Sequence, residues 1–269
     1  MLLSAHNVSF AYRTRRSDRT ASPAVVRGVS LDVGPGTFVG ILGPNGSGKT
    51  TLLRLLGRLL EPSEGTVTLD GQPIAEWPRQ VLARRIAMVP QETHPAFDYS
   101  VLELVLMGRY PHLGPMAIEG PADLSIARDA LRVTGMTQFE ARPFSTLSGG
   151  EKQRVVIAGA LAQQADVLLL DEPTASLDPG HQLEIASLLT ELNQTRGLGL
   201  VLSTHDLNLA ASVCRDLVML SEGAIIASGR TEDVLTGTNV ERLYGVRADV
   251  RFHPEAGHLT VVPLKSRHQ

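Results

Sequence analysis

Hydrophobic residues recur along this chain with two periods, and the places where the period changes mark its organisation. Short apolar runs bounded by turn residues fill the first ninety positions. Residues 2–10 and 25–33 alternate apolar and polar side chains and predict two strands. Phe38-Val39-Gly40-Ile41-Leu42 is apolar throughout, the pattern of a strand buried on both faces. Thr51-Leu52-Leu53-Arg54-Leu55-Leu56 predicts a helix, and Gly65–Gly71 a strand closed by an Asp70-Gly71 hairpin turn. Residues 78–84 predict a helix, and Ile86–Pro90 a short buried strand followed at once by Gln91.

From Ser100 the period lengthens. Residues 101–106 and 122–134 predict helices, separated by a breaker-rich loop, Gly108-Arg109-Tyr110-Pro111-His112-Leu113-Gly114-Pro115. No strand is expected in this middle third, which reads as a helical insert. A helix over 151–163 follows, with Ser148 as N-cap and Glu151 three residues on as its capping-box partner. Apolar strands then return at Val167–Leu170 and Gly199–Thr204, on either side of a helix over 181–196. Residues 216–220 and 224–229 predict a hairpin. The tail from Thr231 predicts a short helix, the segment Val240–Gly245, and two small strands at 248–252 and 258–262.

Composition changes this picture little. The 269 residues allow one large domain or two small ones. A net charge of −3 gives no electrostatic footprint for nucleic acid, so no such partner is expected. Cys214 is the single cysteine, which excludes an internal disulfide and suits a reducing compartment. No apolar run reaches the roughly 18 residues that span a bilayer, and the N-terminus lacks the basic and apolar regions of a secretion signal. Any work at a membrane is therefore expected to run through a partner.

The chemistry begins at Gly43-Pro44-Asn45-Gly46-Ser47-Gly48-Lys49-Thr50, which fits G-x-x-x-x-G-K-[ST] between a strand and a helix. Glycines there let backbone N–H groups turn inward around an anion, and the helix start adds positive potential. Lys49 is expected to reach the β- and γ-phosphates of a nucleotide, and the Thr50 hydroxyl to hold Mg²⁺. Ser148-Gly149-Gly150 beside a helix start offers a second anion site. Asp171 and Glu172 stand at the carboxyl end of an apolar strand, where ligands of parallel sheets gather; one can hold Mg²⁺ and the other act as a base. His205 ends the next apolar strand, and Asp206 begins a helix. Elsewhere the plainer reading prevails. The basic stretch 13–23 reads as an exposed hairpin tip, and His253 and His258 as solvated turn residues without a third metal ligand.

Taken together these motifs resemble the ATP-binding subunit of an ABC transporter, over residues 2 to about 236. Gly43–Thr50 matches its Walker A loop, with Thr51 just after it. Leu168–Glu172 matches Walker B, and Leu147-Ser148-Gly149-Gly150-Glu151 the family signature. Gln91 falls at the Q-loop, Ser176-Leu177-Asp178 at the D-loop, His205 at the switch histidine, and Tyr12 where the family stacks adenine. The resemblance implies an α/β fold of the P-loop NTPase type: a RecA-like parallel core, an antiparallel β subdomain and an α-helical insert at about 98–154, making up residues 1–236. A C-terminal extension with a short helix and a hairpin would then occupy 237–269.

The resemblance also implies a mechanism. Two such subunits form a head-to-tail homodimer that sandwiches two ATP molecules, each between one Walker A loop and the opposite signature. Ser148, Gly149 and Gly150 would contact the γ-phosphate held by the other copy. Glu172 would polarise the attacking water, His205 would contact the γ-phosphate, and Thr50, Gln91 and Asp171 would hold Mg²⁺. Within the family, Ser100-Val101-Leu102-Glu103, Met107–His112 and Tyr244-Gly245-Val246 are similar to importers of iron chelates (siderophores), haem and cobalamin. That implies permease subunits in the membrane, a substrate-binding protein outside the cytoplasm, and a peripheral place at the cytoplasmic face of the inner membrane. The alternatives are a non-transport ABC ATPase acting on nucleic acid or ribosomes, disfavoured by the single phosphate loop, and an exporter ATPase, disfavoured by the 108–112 segment.

Overall fold

In the computed structural model, which describes residues 2–12 and 23–264, most elements begin and end close to the expected bounds. The expected hairpin tip at 13–23 falls, apart from Pro23, outside the described residues. In chain order the first elements are β1 (Leu3–Phe10), β2 (Val26–Val33), β3 (Phe38–Leu42), α1 (Lys49–Leu56), β4 (Glu64–Leu69) and β5 (Gln72–Pro73). Next come α2 (Arg79–Ala83), β6 (Ile86–Val89), α3 (Val101–Leu106), α4 (Pro121–Val133), α5 (Gly149–Ala162), β7 (Val167–Asp171) and α6 (Pro179–Arg196). The chain closes with β8 (Gly199–Thr204), α7 (Leu207–Val213), β9 (Asp216–Ser221), β10 (Ala224–Arg230), α8 (Thr231–Val234), α9 (Gly237–Tyr244), β11 (Ala248–His253) and β12 (His258–Pro263). They form two units, one from residues 1–76 with 199–269 and the other from 77–198.

In the first unit, β3 is buried at every position because strands lie on both its sides, β8 and β9, each parallel to it. β10 returns antiparallel to β9 through a Glu222-Gly223 turn in which both residues have positive φ. A separate antiparallel sheet has the order β2-β1-β4-β5. The Asp70-Gly71 turn has φ of 52° and 80°, the two-residue geometry that this dipeptide favours. β1 departs from simple alternation. Leu3, Ser4 and Ala5 are all buried, and Asn7 takes φ of 50° where the register with both neighbours shifts, so the strand changes face midway.

Cys214 is buried against β3. A Cβ built on Gly40 would stand 2.8 Å from its Sγ, so the glycine is what lets the thiol approach. Burial, with Asp216 nearby, pushes that thiol far above the usual cysteine range. At the end of the chain β11 and β12 pair with His253 opposite His258, whose Nδ1–H donates to the Leu259 carbonyl (2.8 Å).

In the second unit, β6 and β7 pair in parallel, and α3, α4 and α5 pack on one another. Only an isolated bridge, Ser100 to Pro143, interrupts the helical character of the middle third. One segment differs from expectation. Met107–His112, read as a loop from Gly108 and Pro111, is a 3-10 helix. It is held from a distance. Arg109 is buried and donates to the Ala162 carbonyl (2.7 Å), Gln164 Oε1 (2.9 Å) and Asp123 Oδ1 (2.9 Å); His112 Nε2–H donates to the Gln163 carbonyl (2.8 Å). These bonds reach the last carbonyls of α5, which every helix leaves without internal partners. Among the described residues no helix is long and apolar enough to cross a membrane.

Candidate active site

The phosphate loop lies in the first unit, where β3 delivers the chain into Gly43. A Cβ there would stand 2.4 Å from both the Leu220 carbonyl oxygen and Ser47 Oγ, so only glycine fits. Gly46 and Gly48 take φ of 80° and 104°, and Gly48 serves as the N-cap of α1 with no side-chain cap on the helix. The first N–H groups of α1 therefore remain available inside the loop. Lys49 is buried, and its ammonium donates to the carbonyls of Gly43 (2.9 Å) and Pro44 (3.3 Å). Ser47 Oγ is buried with no hydrogen-bond partner among the described residues. No acidic residue occupies the first turn of α1. A loop with buried cationic and hydroxyl donors, converging N–H groups and no competing carboxylate in its helix start suits a phosphate chain.

Two more residues of interest lie by this loop. Thr51 is buried on the first turn of α1, and its hydroxyl is 3.3 Å from that of Tyr12. Tyr12 rests edge-on against Phe10 (4.9 Å between centroids) and is 44% exposed, which leaves ring surface open for stacking. Thr204 stands in register with Leu42 across the parallel β3–β8 pair. Gly43 and His205 thus leave adjacent strands at the same edge.

His205 sits in a well-tied corner. The Asp206 N–H donates to Thr204 Oγ1 (3.0 Å). Asp206 then caps α7, accepting from the N–H groups of Asn208 (2.9 Å) and Leu209 (3.0 Å).

The second unit carries the remaining residues. Val89 is in register with Leu170, so Gln91 and the Asp171-Glu172 pair leave β6 and β7 at one edge. Asp171 is buried. Glu172 takes φ of 45°, a left-handed conformation uncommon for a residue with a Cβ, and Ser176 follows with φ of 67°.

Ser148 caps α5 in a complete capping box. Its Oγ accepts from the Glu151 N–H (3.4 Å), and the Glu151 carboxylate accepts from the Ser148 N–H (2.7 Å). The Ser148 N–H, and after it the Ser148 hydroxyl, hold the Glu151 carboxyl below its usual range. Asp178 caps α6, accepting from the His181 N–H (3.1 Å) and pairing with His181 Nδ1 (2.7 Å), which lowers its pKa. The His181 ring lies so near Gly150 that a Cβ there would meet Cδ2 at 2.3 Å. His181 thereby joins Asp178 to the Ser148–Gly150 turn. Its only signal in the sequence is the third position after Asp178 in an Asp-Pro helix start.

Comparison with known proteins bears on both units. A family model described as ABC transporter matches residues 26–175, taking in the phosphate loop, Gln91, Ser148–Gly150 and Asp171-Glu172. The chain is similar to the ferric enterobactin transport ATP-binding protein FepC of Escherichia coli (strain K12), 41% identical over 240 residues that cover 89% of each chain. It is also similar to the hemin import ATP-binding protein HmuV of Bordetella bronchiseptica, 40% identical over 264 residues, covering 94% of this chain and 96% of that one. Among solved structures, a metal-chelate type ABC transporter in an inward-facing conformation aligns with a TM-score of 0.83 and 30% identity, over 98% of this chain and 97% of that one. With a phosphate loop of this geometry and a family model spanning more than half its length, the chain belongs to the ABC transporter family of ATP-binding subunits.

Proposed function

We propose that this chain is the ATP-hydrolysing subunit of an importer that takes up an iron–siderophore, haem or cobalamin-type cargo. The observation that carries the reading is the Gly43–Thr51 loop: glycines held by close backbone approach or positive φ, the buried Lys49, and Ser47 Oγ without a partner among the described residues, in a chain similar along its length to a transport and an import ATP-binding protein. Lys49, Ser47 and the loop N–H groups bind the phosphates of ATP. Tyr12 stacks on the adenine.

The hydroxyl of Thr50, the amide of Gln91 and the carboxylate of Asp171 are the donors suited to Mg²⁺, a hard cation that takes oxygen ligands. Held there, such an ion would supply charge neutralisation to the phosphate chain. Glu172 accepts a proton from the attacking water, and His205 contacts the γ-phosphate and holds it in line. Phosphoryl transfer asks the protein mostly for positioning and charge neutralisation, which these side chains supply. Ser148, Gly149 and Gly150 serve the γ-phosphate held by a second copy in a head-to-tail dimer, with Asp178 near that contact. One chain would then need two anion sites, the second being the role proposed for the Ser148–Gly150 turn.

The permease would dock on the second unit. Phe97, Tyr110, Met116 and Ile118 are exposed apolar side chains within one stretch of its sequence, the residue type a partner surface covers. An extracytoplasmic binding protein would deliver cargo to that permease, and the subunit would sit peripherally at the cytoplasmic face of the inner membrane.

The test is uptake of labelled ferric siderophore, haem and cobalamin in cells lacking this chain, complemented with wild type or Glu172→Gln. One uptake should fail and be restored by wild type alone. Normal uptake of all three would remove the iron–siderophore, haem or cobalamin cargo reading.

A further inference from the structure

The C-terminal extension touches the backbone of His205 and the helix that follows it. The Tyr244 hydroxyl donates to the His205 carbonyl (3.2 Å). The Asn208 side chain, in the first turn of α7, makes a two-point bond to Val261 of β12: its Oδ1 accepts from the Val261 N–H (2.8 Å), and its Nδ2–H donates to the Val261 carbonyl (3.3 Å). Val261 is itself buried. Two separate elements of the extension thus meet residues 205–208 from positions 39 and 53 residues away in sequence.

Tyr244 is held firmly enough to transmit this. It is the last residue of α9, which buries Val240 and Leu243 and stops at Gly245 in the left-handed conformation. Thr236 caps the start of α9 by accepting from the Asn239 N–H (3.2 Å), and Asn239 Nδ2–H donates to the Val234 carbonyl (2.8 Å). At Gly237 a Cβ would stand 2.8 Å from the Ala248 carbonyl, so α9 and β11 are in backbone contact. On the other side, Thr204 and Asp206 are fixed by the hydrogen bonds described above. The extension supplies a donor to the His205 carbonyl between them.

We infer that Tyr244 and Asn208 are positioning residues that set the orientation of His205, so that the extension tunes ATP turnover from within its own subunit. The inference rests on the reading of His205 as the group that contacts the γ-phosphate. A histidine on an untied strand end samples several backbone and side-chain orientations; one tied on three consecutive residues reaches its reactive orientation more of the time.

The test uses the full chain with four variants: Tyr244→Phe, Asn208→Ala, His205→Ala, and Tyr244→Phe with His205→Ala. Steady-state ATPase is measured as kcat and KM, beside ATP-dependent dimerisation, thermal midpoint and the ring resonance of His205, assigned by its loss in His205→Ala. Tyr244→Phe and Asn208→Ala should each lower kcat by about two- to tenfold, the range of one net hydrogen bond, with KM for ATP and dimerisation close to wild type. The thermal midpoint should stay close to wild type in Tyr244→Phe and fall in Asn208→Ala, which leaves the buried Val261 backbone unpaired. The His205 resonance should move in both. In the His205→Ala background, Tyr244→Phe should cost nothing further. A wild-type kcat and an unmoved resonance in both single variants, with His205→Ala inactive, would overturn the inference alone. A loss of kcat in Tyr244→Phe that follows a lowered thermal midpoint or weaker dimerisation would overturn it too. Full turnover by His205→Ala would instead remove the reading of His205, and the inference with it.

Discussion

Gly108 and Gly159 meet backbone to backbone: a Cβ on Gly108 would stand 2.1 Å from the Gly159 carbonyl oxygen. The neighbour is main chain of α5, which cannot swing aside as a flexible side chain could. Gly108→Ala should therefore lower stability by about 1–3 kcal/mol, the usual cost of overpacking. A urea titration followed by circular dichroism would measure it. A wild-type midpoint would mean that the Met107–His112 turn can lift off the helix freely.

Glu172 combines a functional side chain with a strained backbone. Glu172→Gln keeps the strain and the shape but loses the base. It should bind ATP like wild type and turn over about 10²–10⁴-fold more slowly. Equal ATPase rates would sink the role of Glu172.

Glu172→Gly separates the same two properties differently. Glycine relieves a left-handed conformation that costs about 1 kcal/mol or more in a residue with a Cβ, so the variant should melt higher while hydrolysing no ATP. Differential scanning calorimetry beside an ATPase assay would show both. A lower melting point would mean that Glu172 contributes contacts worth more than its strain.

Ser47→Ala removes a buried hydroxyl that has no protein partner. Without nucleotide the variant should be as stable as wild type or more so, by up to about 1 kcal/mol, because no hydrogen bond is lost and a buried polar atom is removed. Its melting temperature should rise less than that of wild type on adding ATP. An undiminished rise would show that Ser47 does not serve the phosphates.

Three carboxylates clamp helix starts in the second unit. Glu103 and Glu151 accept from the Ser100 and Ser148 N–H and hydroxyl groups. Asp123 accepts chiefly from Arg109 and then from the Gly120 N–H. All three titrate below their usual range. Each therefore binds its proton more weakly folded than unfolded, and its contribution is complete above the ordinary carboxylate range, near about pH 4.5. The contribution is lost as pH falls through the lower folded values. Urea midpoints measured down from neutral pH should drop across this window, and Glu151→Gln should make the drop shallower. A parallel curve for the variant would mean that the capping carboxylate does not couple to folding.

How far these features can be read from sequence depends on how local their causes are. The Ser148–Glu151 capping box is written in four residues, and both of its bonds form. Asp70-Gly71 makes its turn for the same reason, and the unbroken apolar runs at 38–42 and 167–170 sit where an all-buried strand must. The Met107–His112 helix resists such reading, because its partners, Ala162, Gln163 and Gln164, are more than fifty positions away and its own residues advertise a break. β1 resists it too, since one left-handed Asn7 turns its pattern over. Around the candidate site, the motif residues identify themselves by spacing. Their supports do not: His181 beneath Gly150, and Tyr244 and Asn208 beside His205, are brought there by tertiary packing.

Cys214 has a practical consequence. The chain's one thiol is sealed against Gly40 and holds its proton far above neutral pH, so thiol-directed probes will pass over the native protein. A single cysteine introduced on the surface can then be labelled without first removing the natural one. Fluorescent reporters of this subunit's motions can accordingly be built on an otherwise unaltered sequence.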